Sequence, residues 1–367
     1  MLNSLIEGIL LKFKFGFVGK MRVTLEEVCN RESSSYAQKD LEFLCGDYPI
    51  FGASGLIKYI DQYHQEKAYV AVVKDGAGVG RTMFLPEKSS IIGTLQYLIP
   101  KEEIEPKYLY YAVKSMHLEK YNTGATIPHI YFKDYKKEEF NLPTKKKQIE
   151  IISILEKIEK AISNKKKQAE LLDCLIKSRF IELFGDCKNE VRIGDVISIS
   201  RGASPRPISA FITDNEDGVN WIKIGDVSEN SLYITKTEEK ITREGAKKSR
   251  MVYAGDFILS NSMSFGRPYI LGINGCVHDG WLIMSNFNDT FNEFYLYHAI
   301  RSDDIQYQFS GKVNGATVKN LNSDLVKNTY IKVPIMELQN QFAAFVEQTD
   351  KSKFISVDII TRLITKF

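Results

Sequence analysis

The sequence predicts a mixed α/β (α+β) chain with a pseudo-two-fold internal repeat: two globular domains separated by two long antiparallel coiled-coil helices. Three observations predict it. The stretches that begin at Thr123 and at Asn314 repeat one pattern without a gap. No Pro or Gly occurs between Gln148 and Phe184. The residues ahead of each helical stretch mix short apolar runs with turn signals. The resulting division is an N-terminal helix at 1–20, a first domain at 21–143, a long helix at 144–185, a second domain at 186–333 and a closing helix at 334–367.

The N-terminal stretch MLNSLIEGILLKFKFGF is apolar. Glu7, Lys12 and Lys14 interrupt it well short of a membrane span, and no small-residue cleavage site follows, so it reads as a helix packed on protein. The length of 367 residues with 44% hydrophobic content suffices for two or three packed domains. Lys and Arg number 49 against 46 Asp and Glu, a net charge of +3, so any affinity for nucleic acid has to come from local basic faces. Five scattered cysteines without a C-x-x-C argue against zinc or a secreted disulfide framework and point to a reduced, cytoplasmic chain.

Within the first domain, VVKDGAGVGRTMF (72–84) raises the question of a phosphate-binding loop. A P-loop needs G-x-x-x-x-G-K-[ST], but Gly76 to Gly80 is one residue short and Arg81 stands at the lysine position. A dinucleotide fingerprint would need a third glycine at 81. The following TMFLPEKSS reads as a strand and turn, where both motifs need a helix.

The repeat supplies a different reading. Gly124 and Gly315, Pro143 and Pro334, and Gln148 and Gln339 are each 191 positions apart. Earlier, LYYAV (109–113) parallels LYHAI (296–300), VTLEEV (23–28) parallels VRIGDV (191–196), and VVKDGAGVGR (72–81) parallels ILSNSMSFGR (258–267). Of the loop, only Gly80-Arg81 recurs, as Gly266-Arg267, while Ser262 and Ser264 replace Gly76 and Gly78. A nucleotide loop is not expected to lose its glycines while its scaffold is duplicated.

The long helix carries Ile151, Leu155, Ile158, Ile162, Lys165, Ala169, Leu172, Ile176, Arg179 and Leu183 at alternating steps of four and three, one stripe suited to a partner helix. At 1.5 Å per residue it spans roughly 55 Å. In the second copy Leu338, Phe342, Phe345, Thr349, Ser352, Ser356, Ile359 and Leu363 keep the same steps. Both stripes turn polar near the middle, so antiparallel pairing would set polar centres opposite one another between two apolar ends. The alternative is a pair of unrelated amphipathic helices, each covering its own domain.

Catalytic motifs are missing from the sequence. There is no H-E-x-x-H, GASG (52–55) is not G-x-S-x-G, the five histidines lack metal-ligand spacing, and no Asn/Asp-Pro-Pro-Tyr occurs. No catalytic residue, metal or cofactor is therefore assigned.

Taken together, the paired TGAT…LP…Q and NGAT…VP…Q, with YPIFGASGLIKYIDQY (48–63), VVKDGAGVGR, VNWIKIGDV (219–227) and GDFILSNSMSFGR (255–267), resemble the specificity (S) subunits of Type I restriction-modification systems over nearly the whole chain. The resemblance implies a non-catalytic subunit whose two target-recognition domains read the halves of a bipartite, asymmetric double-stranded DNA sequence. It implies helices that set the spacer and dock two modification (methyltransferase) subunits, with restriction (endonuclease/translocase) subunits joining them, and no membrane. The C-terminal helical region is shorter than the first, and SLIEGILLKFKFGF (4–17) is similar to CLIKSRFIELFGD (174–186), which allows the N-terminal segment to complete it by a circular arrangement.

DNA affinity comes from neutralised phosphates and specificity from donors and acceptors on base edges, so loop Arg, Lys, Asn, Ser and Tyr are the residues to consider. In the first domain these are Ser54, Lys58, Tyr59, Lys74 and Arg81; in the second, Arg201, Ser204, Arg206, Lys223, Asn261, Ser262, Ser264 and Arg267. SRGASPRP (200–207) is an arginine-bearing loop stiffened by prolines. The repeated Gly-Arg is either a shared phosphate clamp or a turn flanked by a surface arginine, and the repeated Gly-Ala-Thr either a joint before the helix or a close backbone approach to a partner. For the helix and partner interface the stripe gives Ile151, Leu155, Ile158, Ile162, Leu172, Ile176, Leu338, Phe342, Phe345, Ile359 and Leu363.

Overall fold

The computed structural model describes residues 21–365 except 124–125, 228–230, 262–265 and 311–320, with side chains described through Ser352. The N-terminal helix expected at 1–20, Ser262, Ser264 and the Gly-Ala-Thr at 315–317 lie outside the described residues, as do the side chains of Ile359 and Leu363. Contacts divide the chain into a first unit that runs to Lys167 and takes in the stretch from Ser356 onward, and a second, Gln168–Ile355.

The first unit begins with β1 (Met21–Thr24), α1 (Leu25–Val28) and β2 (Cys29–Ser33). It continues through β3 (Tyr48–Gly52), β4 (Gly55–Ile60), β5 (Tyr69–Val73), β6 (Thr82–Leu85), β7 (Ser90–Ile91) and β8 (Leu95–Pro100). Helices α2 (Pro106–Lys114) and α3 (Phe132–Tyr135) precede β9 (Glu139–Leu142), which leads into α4 (Lys145–Phe184). The main sheet is antiparallel in the order β2-β8-β5-β6, beside a smaller sheet, β4-β3-β7, in which β3 and β7 run parallel. Every residue of β5, Tyr-Val-Ala-Val-Val, is buried because both faces are covered. Alternate side chains then serve different cores. Val70, Val72 and Leu98 join α2 in one cluster, while Tyr69, Ala71, Val73, Leu95 and Tyr97 join the small sheet in another.

The second unit repeats this plan. After the last turns of α4 come β10 (Glu190–Arg192), α5 (Ile193–Val196), β11 (Ser198–Arg201), β12 (Ile212–Thr213), β13 (Val219–Ile222), β14 (Tyr233–Ile234) and β15 (Glu239–Ile241). Then follow α6 (Arg243–Lys247), β16 (Arg250–Val252), β17 (Phe257–Ser260), β18 (Pro268–Leu271), β19 (Gly275–Val277) and β20 (Trp281–Ser285). Helices α7 (Glu293–Ile300), α8 (Asp303–Phe309) and α9 (Ser323–Asn328), strand β21 (Tyr330–Lys332) and the part of α10 (Met336–Thr365) up to Ile355 complete it. The sheet β11-β20-β17-β18-β14 matches β2-β8-β5-β6 with one strand added. The sheet β12-β15-β13-β19-β16 contains a parallel β13–β19 pair, as β3 and β7 do in the smaller sheet of the first unit. Again the strand period divides two cores: Phe257, Leu259, Leu282 and Met284 face the helices, and Ile258, Trp281 and Ile283 face the second sheet.

The root of each long helix is anchored in the same way. Strand β9 pairs with β1 and β21 with β10, both antiparallel. The Tyr108 hydroxyl donates to the Asn141 carbonyl and that of Tyr295 to Lys332, each at 2.8 Å. The unit boundary falls inside α4 because its two ends pack into different cores. Ile151 and Leu155 belong to the helix-side cluster of the first unit, and Ile176 and Phe184 to that of the second.

Candidate nucleic-acid interface

The glycine loop is a hairpin connection between β5 and β6, and most of its backbone donors are engaged inside the protein. The N–H groups of Lys74 and Asp75 reach the Thr94 carbonyl, at 3.0 and 3.3 Å, and Gly76 donates to Pro128 at 2.9 Å. Val79 donates to Gly76 at 3.2 Å and Arg81 to Gly78 at 3.0 Å. Those amides are not turned toward a phosphate. Asp75 also meets the His129 ring, which packs at a tilt against Tyr131 with centroids 4.0 Å apart.

The loop closes like its counterpart in the second unit. Gly80 donates to Val73 at 2.8 Å and Val73 to Arg81 at 2.9 Å; Gly266 donates to Ser260 and Ser260 to Arg267, both at 2.9 Å. Closure therefore pairs Val73 with Ser260 but Gly80 with Gly266, so the second loop is one residue shorter, a shift the ungapped sequence match does not show. Both glycines sit at positive φ, +85° and +68°. A Cβ on Gly80 would collide with the Glu119 backbone, and one on Gly266 would lie 3.1 Å from Phe309 Cδ2. Their recurrence has a steric cause.

Sheet topology decides which expected residues meet. In the first unit, β3 and β5 end, and β8 begins, at one edge, because Phe51 pairs with Ile91 and Val73 with Leu95. Ser54, Lys74 and Arg81 lie there, and Arg81 Nη1 donates to the Ala53 carbonyl at 2.9 Å. Lys58 and Tyr59 do not, since they pair with Ile50 and Pro49 farther along β4. The Lys58 ammonium turns into its own domain, donating to the Leu41 carbonyl at 2.8 Å, while the Tyr59 ring is half exposed. Lys74 is paired with Asp75 at 3.9 Å.

In the second unit Arg201 pairs with Leu282, Ser260 with Trp281 and Ile222 with Val277, which brings the ends of β11, β17, β13 and β19 to one edge. Arg201, Ser204, Arg206 and Asn261 thereby converge on Asp279, a residue the sequence motifs did not single out. Its carboxylate accepts the Ser204 hydroxyl at 2.8 Å and stands 3.6 Å from the Arg206 guanidinium. Its backbone carbonyl accepts Arg201 Nε at 2.9 Å and Asn261 Nδ2 at 3.0 Å. The Ser204 hydroxyl holds the Asp279 carboxyl below its ordinary range, with nearby His278 and Arg201 adding to the effect. Neighbouring His278 is depressed by burial, and the Ile224 N–H donates to its Nε2 at 3.2 Å. Lys223 pairs with Glu239 at 2.7 Å, the bond that chiefly raises its pKa. Arg267 is half-buried beside the loop closure. The string VHDGW held the signal for Asp279, but only strand pairing shows which loops it joins.

Along α4, Ile158, Ile162 and Leu172 are half-buried between the fully buried ends of the stripe. On α10, Phe342 is buried against Phe180, Phe184 and His298, and half-buried Leu338 and Phe345 pack on the same cluster. Among the described residues no group of His, Cys, Asp and Glu could hold a metal ion, and no helix is long and apolar enough to cross a membrane.

The family model described as Type I restriction modification DNA specificity domain matches twice, at residues 18–172 and 186–363. The Type I restriction enzyme MjaIX specificity subunit of Methanocaldococcus jannaschii is 29% identical over 133 residues, covering 29% of this chain and 31% of that protein. The chain thus spans about a third of the length of that curated relative. The S subunit of a Type I restriction-modification system from M. genitalium has a similar fold, with a TM-score of 0.58 at 16% identity over 96% of both chains. A chain from a structure of type I R-M complex assembly and conformational transition gives a TM-score of 0.54 at 14% identity, covering 95% of this chain and 96% of that one.

Proposed function

The chain belongs to the Type I restriction-modification DNA specificity family, and from that premise we propose that it reads a bipartite, asymmetric sequence in double-stranded DNA, one half with each domain. The proposed readers are 21–143 and 186–333, and the helical regions at 144–185 and 334–367 set the spacer between half-sites. The same helical regions would seat two methyltransferase subunits, which restriction subunits then join, in the compartment that holds the DNA. The chain itself would contribute recognition and no chemistry.

One observation carries this reading most directly: a single frame is used twice with different loop side chains. Strand order, loop closure and helix anchoring recur, whereas the edge residues are Ser54, Lys74 and Arg81 in one unit and Arg201, Ser204, Arg206 and Asn261 in the other. Two equivalent scaffolds with unequal donors suit an asymmetric target. A nucleotide-dependent role for the 76–82 loop is disfavoured because Gly76, Val79, Gly80 and Arg81 spend their amides inside the protein.

Affinity purification of the full chain from its native host tests the assembly. The expected result is a methyltransferase recovered at about two copies per chain. Recovery of the chain with DNA alone would favour a free-standing DNA-binding protein. Stabilisation of the isolated chain by a nucleotide would instead revive the loop as a ligand site.

A further inference from the structure

We propose that Asp279 determines the base preference of the second domain by fixing the donors gathered around it. This inference rests on the reading of the chain as a DNA-sequence reader. Four residues from two separate segments use this one residue: Ser204 and Arg206 through its carboxylate, Arg201 and Asn261 through its carbonyl. The Arg206 pair is not there for stability, because the Arg206 side chain is 82% exposed and an ion pair so open contributes little to folding. Nor does the carboxylate favour phosphate binding, since a negative charge on this edge repels the backbone. What it does supply is orientation. Base discrimination by arginine depends on a fixed planar fork, and a long side chain without a partner samples many rotamers.

The first unit shows that the frame does not require this acid. Lys74 N–H bonds Thr94, and Asn261 N–H bonds Gly280 in the equivalent place, so Gly93 is the counterpart of Asp279. A Cβ on Gly93 would meet only ordinary contacts, 3.5 Å from the Ser34 and Tyr36 carbonyls. The scaffold thus accepts a side chain there, and only one domain carries one. An acid confined to one copy of a duplicated frame is placed to make the two half-sites differ.

The test is selection of bound sequences from a randomised double-stranded DNA library by the full-length chain, read by sequencing, for wild type, Asp279→Asn and Ser204→Ala. Asn keeps the size and the backbone contacts but removes the charge; Ala at 204 keeps the charge but removes the hydroxyl that donates to the carboxylate at 2.8 Å and accepts the Asp279 N–H at 3.3 Å. The expected result is a loss of roughly tenfold or more in preference at one or two positions of one half-site, with the other half-site unchanged. A selected sequence identical to wild type in both halves for a folded variant would overturn the proposal, as would equal weakening of both halves. Should Asp279→Asn fail to fold, Ser204→Ala decides. A wild-type chain that selects no sequence would instead refute the underlying reading.

Discussion

Gln148 and Gln339 make the same three hydrogen bonds in the two halves of the chain. Gln148 Oε1 accepts the Glu105 N–H at 2.7 Å, and its Nε2 donates to the carbonyls of Glu103 at 3.0 Å and Pro143 at 2.9 Å. Gln339 does the same with Asn292 at 2.9 Å, Thr290 at 3.0 Å and Pro334 at 2.8 Å. Both side chains are completely buried, and Glu105 and Asn292 are the N-caps of α2 and α7. Each amide therefore ties the first turn of a long helix to the start of a domain helix.

Replacing either glutamine by alanine strands buried backbone groups, at a cost of about 1–3 kcal/mol per group. Amide hydrogen exchange on the full chain should show faster exchange at Glu105 in Gln148→Ala, with Asn292 unchanged, and the reverse in Gln339→Ala. Unaltered protection at both amides would mean that the clamp contributes nothing.

The glycines of the first loop should rank by what surrounds them. Gly80→Ala combines a positive φ with a backbone collision, whereas Gly76→Ala meets open space and retains only the φ cost of about 1–2 kcal/mol. Denaturant unfolding should therefore find Gly80→Ala distinctly less stable than Gly76→Ala. Equal effects would contradict the close packing against Glu119.

Thiol accessibility gives a third check. Cys45 and Cys174 are exposed, whereas Cys29 and Cys276 are buried, and burial pushes the Cys29 thiol up to about 12. Because the thiolate is the reactive form, the two exposed thiols should react fastest with an aromatic disulfide reagent at pH 8, the half-buried Cys187 more slowly, and the Cys45→Ser, Cys174→Ser pair should remove the fast phase. Rapid labelling of Cys29 in the folded chain would contradict its packing.

Much of this organisation is legible in the sequence, for identifiable reasons. A buried glutamine five residues after a proline recurs at a fixed separation because the same clamp is built twice. The length of α4 is legible because its 40 residues lack Pro and Gly and keep one stripe. The edge of each domain is less legible, because strand pairing across distant segments decides which loops meet. Lys58 looks like a loop cation in the string GLIKY, yet it ties down the Leu41 turn. Asp279 looks ordinary in VHDGW, yet four polar residues gather on it. The one-residue difference between the loops shows only in how each closes.

Arg81 is held by the Ala53 carbonyl at the edge proposed to face DNA, with the side chain exposed. In titrations of the full chain, Arg81→Ala should weaken binding by about 1–3 kcal/mol and relax one base position if the residue reads a base. It should instead weaken all sequences alike and lower the salt slope by about one if it holds a phosphate. Unchanged affinity and slope would reduce the residue to a turn support.

The central claim, two unequal readers serving one DNA target, is tested most directly by mapping methylated bases across the host genome with and without this gene. The account predicts a motif of two specified halves flanking an unspecified spacer, present with the gene and lost without it. A continuous motif, or a methylation pattern indifferent to the gene, would contradict it.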